Sequence, residues 1–234
     1  MSFLNKICCL FTFRTLLILF PGKILIATGY PAENGTQIEI IDLIDPNWKF
    51  DFVDKRAVGN GAVGGLLQNQ PVICGTWNGN TFHDCIFIGQ PDKSIQIMEE
   101  RFGSSSVLID KNKLWIIGEK NSTIFISLDK ESSVQVGPEL PFNIYQHCAV
   151  QVNPKTIYLI GGIQNGKLSK DVWIIDPTNN FEINKGPHLN EHRCLHSCSK
   201  MRINGKIFLV VVGYLESVEI LDTTALNQGW KIGM

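Results

Sequence analysis

The stretch TIYLIGGIQNGKLSKDVWIIDP, residues 156–177, decides the fold. An apolar run ends in Gly161-Gly162, a polar turn follows, and KDVWIIDP supplies a second apolar run. Both runs are short and rich in β-branched and aromatic residues, which is typical of β-strands separated by a turn. This stretch therefore predicts two strands of one β-sheet.

The same pattern recurs along the chain. The five strands that end in an equivalent glycine are KILIATGY with Gly29, PVICGTW with Gly75, KLWIIGEK with Gly118, TIYLIGGI with Gly162 and KIFLVVVGY with Gly213. The second strands are TQIEIIDL, DCIFIGQ, STIFISLD, KDVWIIDP and ESVEILDT, and the bulky residues that follow them are Trp48, Ile95, Val134, Phe181 and Trp230. Spacings of 46, 43, 44 and 51 residues between the glycines indicate a repeat architecture.

A further strand precedes the glycine-ending strand in each unit. The clearest of these strands are expected near residues 62–67, 105–109, 147–152 and 196–201. Each unit then contains roughly four short strands in roughly 45 residues, the length of one propeller blade. Because a single sheet of this size cannot bury both of its faces, neighbouring sheets must cover one another. We expect Trp230 to be buried between the last sheet and its neighbour.

These repeats resemble the Kelch repeat family. The resemblance rests on the double glycine Gly161-Gly162, the pairs Gly29-Tyr30 and Gly213-Tyr214, the strand KDVWIIDP, the late Trp48 and Trp230, and Arg193 with His196-Ser197. The residues at the place of the first glycine in the other units are Thr28, Cys74, Ile117 and Val212. The resemblance covers residues 23–234 and implies an all-β fold, a β-propeller of about five four-stranded Kelch-type blades. Since Kelch propellers usually have six or seven blades, the chain is either a five-bladed ring or an incomplete member that closes atypically.

Residues 1–22 differ in composition from the propeller region, residues 23–234. Between Ile7 and Phe20 the only charged residue is Arg14. The apolar stretch is too short and too interrupted for a spanning helix, so we expect no membrane-spanning segment. Residues 1–22 are either a secretory signal peptide that is removed or the location of a strand. As a strand, residues 15–20 would be a buried first strand, and residues 12–20 could close the ring against the last blade.

Two sequons bear on the compartment. Asn34 and Asn121 each begin an N-x-S/T sequence in a polar, turn-like stretch, where a glycan could be attached. Together with an apolar N-terminus, they favour a secreted glycoprotein. A cytoplasmic protein is the alternative.

The cysteines also leave a secreted protein and a cytoplasmic protein as the two alternatives. Cys74 and Cys85 lie eleven residues apart on adjacent predicted strands. This spacing suits a disulfide bond if the compartment is oxidising, and buried thiols otherwise. The same choice applies to Cys148 with Cys194 or Cys198.

Two motifs that resemble chemical sites have simpler explanations. Gly59–Gly64 reads G-x-G-x-x-G, but a strand containing Pro71 follows it instead of the helix that a dinucleotide site requires, so no cofactor is expected. The residues His192, Cys194, His196 and Cys198 alternate along the chain. Ligands along one straight strand spread over about 20 Å and cannot converge on one ion, so no metal site is expected.

The sequence contains no recognisable catalytic set, and its net charge of −1 argues against a nucleic-acid partner. Propeller loops vary while the sheets hold them in place, so recognition is expected on the loop face. The aromatic and arginine anchors expected there are Tyr30, Trp77, Arg101, Tyr145 and Arg193. The sequence thus predicts a non-catalytic scaffold that binds an unidentified protein or glycan. The alternative is a propeller enzyme, similar to galactose oxidase or a sugar epimerase, whose site residues have diverged past recognition.

Overall fold

The computed structural model describes residues 16–20, 23–27, 38–42, 50–54, 61–74, 84–90, 92–97, 101, 103–128 and 132–233. In these residues the regular elements are β-strands and one 3-10 turn, Leu226–Gln228. No helix in the described ranges is long and apolar enough to cross a membrane. The prediction of an all-β fold is confirmed.

The first three sheets have four strands each, and the order of the strands in space follows their order in the chain. The first sheet contains β1 (Leu16–Phe20), β2 (Lys23–Ala27), β3 (Ile38–Asp42) and β4 (Phe50–Asp54). The second contains β5 (Val63–Leu67), β6 (Gln70–Cys74), β7 (Asp84–Phe87) and β8 (Ser94–Gln96). The third contains β9 (Ser105–Asp110), β10 (Lys113–Ile117), β11 (Thr123–Leu128) and β12 (Ser132–Val136).

The remaining strands form one small sheet and two more four-stranded sheets. The small sheet contains β13 (Ile144–Tyr145), β16 (Ile163–Gln164) and β17 (Lys167–Leu168). The fourth large sheet contains β14 (Cys148–Asn153), β15 (Thr156–Ile160), β18 (Val172–Asp176) and β19 (Glu182–Lys185). The fifth contains β20 (Ser197–Ile203), β21 (Lys206–Gly213), β22 (Leu215–Asp222) and β23 (Lys231–Gly233). Five antiparallel four-stranded sheets are the blades of a β-propeller, and their number is the predicted one.

The predicted inner strands are present as β5, β9, β14 and β20, within two residues of the expected positions. The strand alternative for the N-terminal segment corresponds to β1, which pairs with β2 from Leu16↔Ala27 to Phe20↔Lys23. This strand belongs to the first sheet, as the interpretation of residues 15–20 as a first strand predicts, and closure of the ring by residues 12–20 stays a prediction. Removal of residues 1–22 as a signal peptide stays a prediction.

The chain divides into two compact units. In the first unit, Leu25 of the first sheet packs with Ile73 and Ile88 of the second in one buried apolar cluster. Cys74 and Cys85 face each other in register on β6 and β7, with their Cα atoms 4.0 Å apart, and are joined by a disulfide bond. The two cysteines were the predicted cross-strand pair.

The second unit contains Gly103–Ile109, Trp115–Ile124 and Val136–Met234. In its core, Trp230 packs with residues of the fourth sheet, including Tyr158, and of the fifth, including Leu209. The Trp230 side chain is buried, and its Nε1 donates a hydrogen bond to the Pro187 carbonyl oxygen at 2.8 Å. The expectation that Trp230 lies between the last sheet and its neighbour is confirmed.

Candidate functional site

The candidate site is the end of the second unit at which the first strand of each sheet begins. The segments that lead into β9, β14 and β20 are called openings here, and they are residues 103–105, 144–148 and 193–197. The residue four places before the strand is Ile144 in the second opening and Arg193 in the third, and the residue directly before the strand is Ser104, His147 or His196. The openings therefore occupy equivalent places in three successive repeats.

Backbone hydrogen bonds join the openings to one another. The Gln146 amide donates to the Gly103 carbonyl at 2.5 Å, and the Leu195 amide donates to the Gln146 carbonyl at 3.0 Å. Gly103, Gln146 and Leu195 all have positive φ angles, of 70°, 54° and 50°. Gln146 and Leu195 carry side chains in a region that favours glycine, so the chain of hydrogen bonds is maintained against local strain.

Each of the last two openings buries a histidine. The Nε2 atom of His147 lies 2.6 Å from Ser105 Oγ, while its Nδ1 atom has no hydrogen-bond partner. Burial, together with the nearby His196, lowers the pKa of His147 to about 3. An imidazole with so low a pKa is neutral at pH 7 and is a weak base.

His196 is in a similar situation. Burial first, and then the positive charge of Arg193, lower its pKa to about 4. The carbonyls of Ile160 and Cys194 oppose this shift, although neither reaches a ring nitrogen with hydrogen-bond geometry. In the described part of the chain, no three His, Cys, Asp or Glu side chains are placed to share a metal ion.

Glycines make room for the two imidazole rings. A Cβ atom on Gly118 would lie 2.7 Å from His147 Cε1, and one on Gly161 would lie 2.9 Å from His196 Cε1. Gly118 is therefore equivalent to Gly161, the first glycine of the pair, and the alignment that put Ile117 in this place is wrong. Glu119 then stands at the place of the second glycine, with a φ of 79°.

Arg193 is completely buried and is the centre of a polar network. Its Nε donates to Glu219 at 3.0 Å, one terminal nitrogen donates to the Gly213 carbonyl at 3.0 Å, and the other donates to Glu191 at 3.1 Å and Ser217 at 2.5 Å. Ser217 also donates to Glu191. These bonds use both ends of the guanidinium to tie residues 191–193 to residues 213–219, which is a structural role.

The predicted anchors differ in how far the structure exposes them. Arg101 and Arg193 are both buried, so neither presents a side chain to a partner, contrary to expectation. Tyr145 is half-buried on β13, where it pairs with Ile163. Tyr30 and Trp77 lie outside the described residues, as does Asn34. Asn121 is half-buried, and its carbonyl accepts a hydrogen bond from the Leu140 amide.

Beside the last opening lies an apolar surface that sequence reasoning missed. Leu195 is 45% exposed, Tyr214 is 53% exposed, and Leu215 is 38% exposed. The backbone of Leu195 passes close to Gly213, the residue before Tyr214, since a Cβ on Gly213 would lie 3.8 Å from the Leu195 carbonyl oxygen. We call Leu195, Tyr214 and Leu215 the opening patch. Tyr214 was assigned only a framework role in the Gly-Tyr pair, and Leu195 was hidden in the alternating His and Cys residues.

Backbone strain is a second indication that the opening patch is a functional site. Leu195 and Tyr214 have φ angles of 50° and 67°, and bulky side chains rarely adopt such angles. Strained residues of this kind persist only where the surrounding structure holds them, and they occur most often at functional sites. The Arg193 network, which fixes the segments on both sides, supplies that support.

Comparisons with known proteins agree with a β-propeller. Residues 145–180, which include the first three strands of the fourth sheet, match the model of the Kelch motif, so the resemblance to Kelch-repeat propellers is confirmed. A fungal alcohol oxidase of the AA5 family, in complex with copper, is similar in structure with a TM-score of 0.70 and 10% identity. The match covers 94% of this chain and 53% of the oxidase, so this chain spans about half of its length.

A second solved structure, that of YjhT, is similar over almost the whole of both chains. Its TM-score is 0.59 at 9% identity, and the match covers 95% of this chain and 97% of YjhT. Identities this low show a shared fold alone. The comparison with curated proteins found no match.

Proposed function

We propose that this chain is a non-catalytic Kelch-type propeller that binds a protein or glycan ligand at the opening patch, with Tyr145 beside it. The observation that carries the proposal is the exposure of Leu195 and Tyr214 in strained backbone conformations. Aromatic side chains are frequent anchors of interfaces, because they bring a large contact area at a small cost in conformational entropy.

The ionisable groups around the patch support binding rather than acid–base catalysis. His147 and His196 are buried with lowered pKa values, and Arg193 is bonded to two carboxylates. The charged side chain of the last opening, Arg193, therefore forms its ion pairs within the fold. What the patch offers to a ligand is apolar and aromatic surface.

We also propose that the protein is secreted and glycosylated at Asn34 and Asn121, with a cytoplasmic location as the alternative. Two disulfide bonds support this proposal, Cys74–Cys85 and Cys148–Cys198. The second joins β14 to β20, the first strands of the fourth and fifth sheets, and leaves Cys194 as a buried thiol. Stable disulfides are common in oxidising compartments and rare in the cytosol.

A binding screen tests the proposed function. The labelled full chain is applied to a glycan array and to a displayed library of extracellular proteins, alongside the variant Tyr214→Ala. Val136→Lys, an exposed change at the end of β12, is the matched control. We expect a ligand whose binding falls at least tenfold with Tyr214→Ala and is unaffected by the control. Binding that is insensitive to Tyr214→Ala would contradict the assignment of the patch, and copper-dependent turnover of alcohols or sugars would favour the enzyme alternative.

A further inference from the structure

Two turns of the second unit contain the same tripeptide, Asn-Gly-Lys. Asn204-Gly205 joins β20 to β21, and Asn165-Gly166 joins β16 to β17. The φ angle is 49° at both asparagines, and it is 80° at Gly205 and 77° at Gly166. Positive φ at both central residues is typical of a type I′ hairpin turn, and all four residues are exposed. Because the two turns match in sequence and backbone conformation, a difference in their chemistry must come from their surroundings.

An asparagine that precedes glycine is prone to deamidation. The glycine backbone nitrogen attacks Cγ of the asparagine, a C–N bond forms, and the side-chain amide leaves as ammonia with the proton of that nitrogen. Water then opens the resulting succinimide ring at either carbonyl, which gives aspartate or isoaspartate. Glycine favours the attack because no Cβ hinders its nitrogen and its backbone is conformationally permissive. Water is the only co-reactant that the reaction needs.

Asn143 restrains one of the two asparagines. The Asn165 amide donates a hydrogen bond to the Asn143 carbonyl at 3.0 Å, and the Asn143 amide donates one to Asn165 Oδ1 at 3.0 Å. These bonds hold both the main chain and the carboxamide of Asn165, and they must break before the Gly166 nitrogen can reach Cγ. Among the residues that the structure describes, none forms a hydrogen bond with the Asn204 side chain.

The exposure of the turn at Asn204 is a property of its place in the sheet. The equivalent turn of the fourth sheet, between β14 and β15, consists of Pro154 and Lys155. Both residues are exposed, although the fifth sheet packs against the fourth and is joined to it by the disulfide Cys148–Cys198. A turn in this position therefore stays in contact with water when a neighbouring sheet covers the face of its own sheet.

We propose that Asn204 is a site of spontaneous deamidation and that Asn165 is protected from it by Asn143. Deamidation at Asn204 adds a negative charge to the turn, and isoaspartate also lengthens the main chain by one methylene group. The pair Ile203↔Lys206 closes the hairpin around this residue, so the isoaspartate form loosens that end of the fifth sheet. Water does not restore the amide, and the modified fraction therefore increases with the age of the molecule.

Incubation of the folded full chain at neutral pH tests the proposal. Peptide mapping by mass spectrometry at a series of times measures asparagine, aspartate and isoaspartate at each position, and Asn165 in the same molecules is the matched control. We expect Asn204 to react at least about fivefold faster than Asn165, the factor that corresponds to one hydrogen bond of about 1 kcal/mol. In chain that has been reduced and unfolded in urea, the two asparagines should react at similar rates, because the tripeptide is the same.

The proposal is wrong if Asn204 keeps its amide in the folded chain but loses it in the unfolded chain. It is also wrong if Asn165 reacts as fast as Asn204 in the folded chain. A faster reaction at Asn204 that is equally pronounced after unfolding would contradict the role of Asn143, since the flanking residues would then set the rate.

Discussion

At equivalent positions, the fourth sheet and its opening carry apolar side chains, whereas the fifth sheet and its opening carry charged ones. The aligned residues are Phe142, Ile144 and Trp173 in the fourth sheet and Glu191, Arg193 and Glu219 in the fifth. In the fourth, Phe142 and Trp173 stack with ring centroids 4.6 Å apart, and Ile144 is buried. In the fifth, Arg193 binds both glutamates.

This difference shows that the repeat specifies burial at the position of Ile144 and Arg193 and leaves polarity free there. Ile144 needs no partner, whereas a buried arginine must have its charge and donors satisfied. The fifth sheet meets this need by placing Glu219, also buried, where the fourth sheet has Trp173. A single change from one chemistry to the other should therefore fail, and a complete exchange should succeed.

The largest expected effect comes from breaking the ionic triad. Arg193→Leu leaves Glu219 buried without its counter-charge, and we expect the free energy of unfolding to fall by about 3–5 kcal/mol. Chemical denaturation monitored by tryptophan fluorescence measures this change. The matched control is Ile144→Val at the equivalent position, which should cost about 1 kcal/mol.

A triple variant sharpens the same comparison. Glu191→Phe, Arg193→Ile and Glu219→Trp together copy the fourth opening into the fifth. Since replacing a complete buried ionic cluster by packed apolar residues is often neutral, we expect most of the stability lost in Arg193→Leu to return. A triple variant as unstable as Arg193→Leu would show that the two openings are not equivalent.

The second expected effect is a loss of stability in acid, caused by the histidines of both openings. In the unfolded chain each should titrate near 6.5, while burial lowers the folded pKa to about 3 for His147 and about 4 for His196. The folded state binds fewer protons, so this stability is complete above pH 6.5 and is lost as the pH falls toward 4. At pH 5 the loss is about 2 kcal/mol for each histidine.

Substitution separates the histidines from the carboxylates, which also titrate in acid. His147→Asn should reduce the slope of stability against pH between 6.5 and 4 by about one proton. Unfolding curves at a series of pH values measure this slope. An unchanged slope in the variant would mean that His147 binds the same number of protons in the folded and unfolded states.

The third effect tests the close approach of glycine to the fourth opening. Gly162→Val should cost about 2 kcal/mol or more, because its Cβ would lie 2.6 Å from His147 Cβ at a φ of 88°. Gly166→Ala is the control, since Gly166 has a φ of 77° but no atom within 4 Å of an added Cβ. It should cost about 1 kcal/mol, from backbone strain alone. Equal losses in thermal unfolding would contradict a steric role for Gly162.

The repeat pattern predicted the sheets because glycine-ended apolar strands recur at nearly constant spacing. It did not predict β13, β16 and β17, since strands of two residues have no periodicity. The burial of Arg193 was missed although a signal was present. Ile144 stands at the same distance from His147 as Arg193 does from His196, and an isoleucine there indicates a buried position.

The positive φ of Leu195 could not be predicted in the same way. Its equivalents are Gly103 and Gln146, and a glycine in one repeat of three is weak evidence for a left-handed conformation in the others. The opening patch depends on the backbone hydrogen bonds between repeats, and these bonds become visible only when the sheets are assembled. The candidate site was therefore only partly readable from the sequence.

The smallest expected effect is a change of mass, and it tests the disulfide Cys148–Cys198 that joins the fourth and fifth sheets. Protein exported from eukaryotic cells should contain two disulfides, should carry glycan at Asn34, Asn121 or both, and should expose the Cys194 thiol to alkylation only after unfolding, because that thiol is buried. Intact-mass spectrometry with and without alkylation measures all three properties.

If residues 1–22 are removed, the chain should also begin near Gly22, and the first sheet would lose β1 and leave β2 at its edge. If the exported protein retains β1 and has both disulfides, it is secreted without cleavage near Gly22. Recovery of the whole chain with seven reactive thiols and no glycan would instead support the cytoplasmic alternative.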